Sequence, residues 1–241
     1  MLNKIFLNFL SIFIGFIDNS NKNKITSFFK KKLKDEYLNI IDIGSHKGET
    51  INLFLKEFNI QKILAFEPNI KLFNFLIKKY NNKKVKLFNC GVGLNEENLD
   101  LNIMIDSASS TFNSINFESN YYKKKNKIIT FLSNKKDLLE KKQKIPVINL
   151  SKIIHENNIS IIDILKIDTE GFEFNILKGI KEIDLKKIRY IYFEHHYDLM
   201  IKKGYSFSDI NKLLIKNNFK KIFKIKMKFR KSFEYIYEQK R

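Results

Sequence analysis

From Leu38 to Phe193, short runs of Ile, Val, Leu and Phe alternate with stretches whose apolar residues recur at helical spacing. The runs are apolar at nearly every position, the pattern of strands buried on both faces, and with helices between them it predicts a parallel sheet covered on both sides. Strands are expected at Leu38–Ile43, Lys62–Phe66, Lys84–Asn89, Ile161–Ile167 and Ile188–Phe193. Helices are expected at Glu49–Phe58, Asn69–Tyr80, Leu150–Asn157, Phe172–Gly179 and Phe207–Lys216. Near the end, Lys224–Arg230 alternates strictly between basic and apolar residues and Phe233–Tyr237 follows shortly after. Those two segments predict an antiparallel hairpin that closes the sheet and carries one basic face.

Two regions depart from this rhythm. Between Asn98 and Asn149 the order weakens: Leu99–Ile103 and Ile128–Leu132 read as extra strands separated by the polar tract Asp106–Ser114 and the charged Tyr121–Lys127. This is an insertion rather than another strand–helix unit, and insertions at strand ends often carry substrate contacts. At the N-terminus, Ile5–Ile17 is apolar but shorter than the ~20 residues a membrane-spanning helix needs. No small-x-small site follows it, which disfavours a secretory signal. Residues 1–34 are therefore expected to be a helical appendage, able to touch a membrane peripherally through this segment and Lys30–Lys32, ahead of one α/β domain at 35–241.

Composition changes the picture in two ways. At 44% hydrophobic, with 23 Phe, the chain has material for a sizeable core. The single cysteine, Cys90, excludes an intrachain disulfide and an all-cysteine metal cage, and fits a reducing, cytoplasmic setting. A net charge of +19 suggests a polyanionic partner, yet only three of the 45 basic residues, Arg189, Arg230 and Arg241, are arginine. A surface that reads phosphates usually leans on the bidentate fork of arginine, and these lysines are spread along the chain, so nucleic acid is disfavoured as a partner.

The candidate chemistry starts at Ile41–Thr50, which reads IDIGSHKGET between a strand and a helix. Gly44 and Gly48 permit a tight turn and close approach of a ligand to the backbone. His46 and Lys47 break the dinucleotide pattern G-x-G-x-x-G, and no Gly-Lys-Ser/Thr precedes the helix, so dinucleotide and triphosphate binding are both demoted. Asp42 before the glycines would repel a pyrophosphate but attract an ammonium and a sulfonium. Glu67 ends the next strand in Phe-Glu-Pro, where an acidic side chain can accept both hydroxyls of a ribose. Either feature alone is common in α/β proteins, and Glu67 could simply face a helix dipole. Together, at the ends of adjacent strands, they point to one nucleoside-binding crevice.

Asp42–Gly48, Phe66–Asn69, Asn89–Gly93, the Ser109–Thr111 tract and Ile164–Gly171 (ILKIDTEG) occur in the order of the FkbM-type S-adenosylmethionine-dependent methyltransferases, which the chain resembles over about Leu38 to Glu194. The resemblance implies a class I, Rossmann-like, mostly parallel seven-stranded sheet and methyl transfer to a hydroxyl oxygen, often of a sugar or secondary metabolite. It implies that Asp42, Gly44, Ser45, His46 and Gly48 hold the methionine part of the cofactor. Glu67 and Pro68 would flank the ribose, and Cys90, Gly91 and Val92 the adenine. His46 stands where many methyltransferases have a central glycine.

For catalysis, Asp168 and Lys166 share a strand face, with Asp168 at the strand's end over the crevice. Asp168 is the first candidate to take the acceptor's proton and Glu170 the second, with Lys166 a pairing partner. His195 and His196 end the fifth strand and point to opposite faces, so one of them should reach the crevice and a paired metal site is not expected. The expected activity is O-methylation of a small-molecule or glycan acceptor. An RNA methyltransferase, supported by the basic hairpin but lacking the Asn/Asp-Pro-Pro-aromatic run typical of amino-nitrogen methylation, and a non-catalytic RNA- or membrane-binding protein are the alternatives.

Overall fold

The computed structural model describes residues 21–133, 135–228 and 230–240. Helix α1 (residues 21–32) leads into β1 (Leu38–Ile43), followed by α2 (Glu49–Glu57), β2 (Ile60–Phe66), α3 (Ile70–Lys79) and β3 (Val85–Phe88). After the insertion come α5 (Leu150–Glu156), β8 (Ile162–Ile167), α6 (Glu173–Gly179), α7 (Glu182–Leu185) and β9 (Ile188–His196). Then follow β10 (Ile201–Lys202), α8 (Phe207–Lys216), β11 (Phe219–Lys226) and β12 (Ser232–Gln239). Seven strands form one sheet in the order β11-β12-β9-β8-β1-β2-β3, in which β12 alone runs against the others, antiparallel to both β11 and β9. The mostly parallel sheet and its closing hairpin agree with the sequence.

Chain direction across the sheet fixes where a ligand can sit. The strands step outward from β1 to β3, and the chain then returns to lay β8 on the other side of β1, pairing Asp42 with Lys166. At such a switch point the flanking connections leave in opposite directions, opening a crevice beyond the strands' carboxyl ends.

Side-chain alternation sorts the sheet into two faces. Ile41, Ile43, Leu165, Ile167, Ile191, Phe193, Tyr235 and Tyr237 pack under α5, α6 and α8. Ile40, Ile63, Ala65, Ile164, Tyr190, Tyr192 and Ile236 pack on the other face under α1, α2 and α3. Helix α1 is part of that second layer: Ile25, Phe29 and Leu33 are buried, and Phe29 meets Tyr190 and Tyr192 edge-on. The apolar run Ile5–Ile17 lies outside the described residues. No helix among the described residues is long and apolar enough to cross a membrane.

The insertion builds its own layer. β7 (Leu139–Asn149) pairs with β4 (Gly91–Gly93) and with β5 (Glu97–Met104), which contains the expected strand Leu99–Ile103. Between β5 and β7 lie the 3-10 turn η1 (Ser107–Ser109), β6 (Ser114–Ile115), paired with β10, and α4 (Asn120–Ser133). Ile128–Leu132 is therefore helical, not a strand. Local β preference is overridden because Tyr122 and Ile129, at helical spacing, turn one helix side into the apolar cluster that contains Met104, Ile115 and Met200, while Asn126 fastens the Leu138 amide at 2.7 Å.

The hairpin also starts earlier than its alternating pattern suggests. Asn218, at a left-handed φ of 63°, ends the α8 turn and launches β11 at Phe219. The strand stops at Lys226, and the Met227 amide bonds the Ser232 carbonyl across the turn. Thus much of Lys224–Arg230 belongs to that turn. β11 is an edge strand, with Lys220, Lys221, Lys224 and Lys226 exposed along it.

Candidate active site

Beyond β1 the chain turns at Gly44, where φ is +84° and a Cβ would lie 1.9 Å from the Asp168 carbonyl oxygen, so both backbone angle and space demand glycine. The Gly44 and Ser45 amides both donate to the Phe66 carbonyl, at 3.0 Å, which ties this loop to the end of β2. The His46 amide donates to Glu67 Oε2 and the Asn69 amide to Glu67 Oε1, each at 2.8 Å. Gly48, φ +77°, precedes α2, and its carbonyl accepts the Tyr80 hydroxyl at 2.7 Å. Burial raises the Glu67 carboxyl to about 7 even though the two amides pull it down. Each of its oxygens keeps a further lone pair available.

A cleft opens over the ends of β1 and β2 and the start of β4. Phe66, Pro68, Val92, Phe112 and Phe172 form apolar walls, Glu67 stands at one end, and Asp168, Thr169 and Glu170 at the other. Ser107 and Ala108 of η1 line it too, and His46 Nε2 meets Ser107 Oγ at 2.8 Å. From α4, Lys125 holds Asp106 at 2.9 Å, so the insertion fastens η1 at the cleft. Cys90 lines this cleft, and burial pushes its thiol up to about 12, which keeps it protonated and unreactive.

A second cleft shares Gly44, His46, Ala108, Asp168 and Glu170 with the first. It runs over the second face of β8, β9 and β12, where Lys166, Tyr192, Glu194 and Glu234 line it, and reaches Lys22 of α1 and Arg230 of the hairpin turn. At its floor Lys166 Nζ lies 3.3 Å from both Asp42 Oδ1 and Asp168 Oδ2. Burial opposes a charge on Lys166, but the two carboxylates outweigh it and raise its pKa above the lysine range. Burial would raise Asp168, but Lys166 and His196 hold it below the usual carboxylate range.

Behind this junction His196 Nε2 lies 3.3 Å from Glu170 Oε2 and 3.5 Å from Glu194 Oε1, while Nδ1 faces Asp198 at 3.5 Å. Burial works against its charge, yet these carboxylates raise it to about 10, so it is an imidazolium at neutral pH. Burial raises Glu170 to about 7; His196 opposes that rise while Glu194 and Asp168 add to it.

The sequence candidates divide as follows. Gly44, His46, Glu67, Pro68, Cys90, Gly91, Val92, Asp168 and Glu170 line the first cleft, and Ser45 and Lys166 the second. Asp42 is fully buried beneath them, facing Lys166, and Gly48 serves the α2 start and Tyr80. His196 reaches the carboxylates behind Glu170. His195 points to the opposite face among Tyr197, Tyr205 and Phe207, where burial lowers it to about 3, so it stays neutral and away from both clefts. Sequence reasoning did not place Phe112, Phe172, Tyr192 or Glu234 at the site. For Glu234 a signal existed: it alternates with Ser232 and Ile236 on a strand face that is otherwise interior.

The chain belongs to the FkbM methyltransferases, since the Methyltransferase FkbM domain matches residues 42–221. Among solved structures, it is similar to a methyltransferase FkbM from Methylobacillus flagellatus KT, with a TM-score of 0.50 and 15% identity over 83% of this chain. The chain spans 44% of that relative's length. Magnesium protoporphyrin IX methyltransferase from Synechocystis PCC 6803, with bound SAH, superposes with a TM-score of 0.52 at 9% identity, covering 94% of this chain and 85% of the other. The METTL16 methyltransferase domain gives 0.51 at 13%, covering 92% and 68%. These likenesses establish a class I methyltransferase fold. No curated protein matches the chain.

Proposed function

We propose that the chain is an S-adenosylmethionine-dependent O-methyltransferase acting on a hydroxyl of a sugar or glycan precursor. The observation that carries this reading is the meeting of two clefts at Gly44, His46, Ala108, Asp168 and Glu170. One cleft has the apolar slot and terminal carboxylate that suit a nucleoside, and the other is lined by polar and charged groups that suit a hydroxylated acceptor.

The residues fit the cofactor. Phe66, Pro68, Val92, Phe112 and Phe172 would sandwich the adenine, Glu67 would take the ribose hydroxyls on its remaining lone pairs, and Gly44 and His46, which line the same cleft, would border the methionine part. When bound, this cofactor supplies an electrophilic methyl group on a sulfonium. Asp168, kept ionised by Lys166, accepts a hydrogen bond from a second hydroxyl of the acceptor and so orients the reacting oxygen toward Glu170. Glu170, poised near neutrality, takes the hydroxyl's proton as the oxygen gains the methyl group, and His196, 3.3 Å away, holds the carboxylate in place and favours its return to the ionised form.

Titrating the full chain with S-adenosylhomocysteine tests the reading. Micromolar or tighter binding is expected, with methyl transfer to a sugar in an acceptor screen; a folded chain that binds no S-adenosylhomocysteine refutes it.

A further inference from the structure

The second face of the sheet ends in a row of carboxylates. Asp168, Glu194 and Glu234 stand at the ends of β8, β9 and β12 on the face they share with Lys166 and Tyr192, as the two-residue period requires. Glu194 and Glu234 are direct register partners across the β9–β12 pair. Like charges directly opposite one another destabilise a sheet, and these two residues are only 6% and 8% exposed. A fold keeps such a pair where something else gains from it.

The counter-charges around the row are already shared. Lys166 serves Asp42 and Asp168 together and also acts on Glu234, His196 serves Glu170, Glu194 and Asp198, and Arg230, on the same cleft, divides its attraction among Asp106, Asp168 and Glu194. Glu234 Oε1 accepts the Tyr192 hydroxyl, whereas Oε2 is enclosed without any hydrogen-bond partner. Burial raises Glu234 to about 7 and repulsion from Glu194 adds to it, as for a negative site short of positive charge. Among the described residues no group of three His, Cys, Asp or Glu side chains could hold a metal ion. The missing charge therefore calls for a bulkier organic cation. An ammonium group carries three donors, enough to reach both glutamates, whereas a neutral hydroxyl offers one donor and leaves the charge unmet.

We infer that the acceptor is an aminated polyol, such as an amino sugar, whose ammonium group sits between Glu194 and Glu234 while a neighbouring hydroxyl faces Asp168 and Glu170. The inference rests on the methyltransferase reading of the site and narrows its acceptor class.

The test uses the full chain with saturating S-adenosylhomocysteine and three probes on one ring: D-glucosamine, N-acetyl-D-glucosamine and D-glucose, titrated by calorimetry at neutral pH. Glucosamine should bind at least tenfold tighter than the other two. Glu234→Gln, which keeps a partner for Tyr192, should reduce that preference to less than threefold while S-adenosylhomocysteine affinity and the circular dichroism spectrum stay unchanged. Glu194→Gln provides the same comparison should the first variant fold poorly. Equal affinities for the three probes, no binding by any of them, or a preference that survives in both variants overturns the inference and leaves the cofactor reading intact. Failure of S-adenosylhomocysteine itself to bind is a separate result, and it removes both.

Discussion

Two buried glutamates, four strands apart along the same sheet edge, are both raised to about 7 by burial and yet are built differently. Glu67, at the end of β2, receives backbone amides on both oxygens and so locks the Gly44–Asn69 region into one shape before any ligand arrives. Glu234, in β12, has a tyrosine on one oxygen and nothing on the other, with a second glutamate as its register partner. The cofactor half of the crevice is thus satisfied from within and offers a preorganised shape. The acceptor half holds unmet charge, and its geometry is completed from outside.

The sharpest way to break the comparison is at the junction. Asp168→Asn and Glu170→Gln should each lower methyl transfer by about 10²–10⁴, while S-adenosylhomocysteine affinity changes less than about threefold. Retained turnover in steady-state assays would take Asp168 out of acceptor positioning or Glu170 out of proton removal. The same chemistry has a pH signature: kcat/KM should rise as pH increases through about 7, where Glu170 loses its proton, and Glu170→Gln should flatten that rise.

Lys166→Met should be next in size. It strands the fully buried Asp42, and breaking such a pair costs on the order of 3–5 kcal/mol, or about 10 °C in melting temperature for a chain of this length. Adding Asp42→Asn to it should restore most of the loss in a thermal melt. A Lys166→Met protein as stable as the parent would show that the ion pair does not hold the junction.

Smaller effects separate the two halves. Glu67→Gln should weaken S-adenosylhomocysteine by about tenfold, the scale of one or two hydrogen bonds to a charged group, without altering the acceptor KM. Because Glu67, Glu170 and Glu234 all bind protons more tightly folded than unfolded, their stabilising contribution is complete below their ordinary range near 4.5 and is lost as pH rises through about 7. The ligand-free protein should accordingly melt lower at pH 8 than at pH 5, and Glu234→Gln should narrow the gap. Smallest of all, His195→Phe should leave methyl transfer unchanged, because that ring packs among aromatics on the far face.

What the sequence revealed follows the same division. β1, β2 and β8 are legible because doubly buried parallel strands are apolar throughout, and the glycine loop and Glu67 are legible because backbone approach and ribose recognition demand particular residue types at particular ends. The acceptor half is assembled from β8, β9, β12 and the insertion, residues far apart in the chain, so no local spacing announces it. Ile128–Leu132 misleads for a related reason: its helix is chosen by the apolar cluster that contains Met104 and Met200, which lie well outside any local window. The two histidines show the limit most simply. Alternation tells that they part company, but only packing tells that His196 is the one turned toward the carboxylates.

The lysines along β11 matter for how the chain survives its own synthesis. An edge strand with open amides and carbonyls is a template for pairing with another molecule, and a sheet whose parallel strands pair across long sequence separations forms slowly, which prolongs that exposure. Lys220, Lys221, Lys224 and Lys226 place repeated like charge on that border, so two copies approaching edge to edge repel each other. Part of the +19 charge thereby acts as protection against self-assembly, a benefit collected during folding and at high concentration whatever the chain binds.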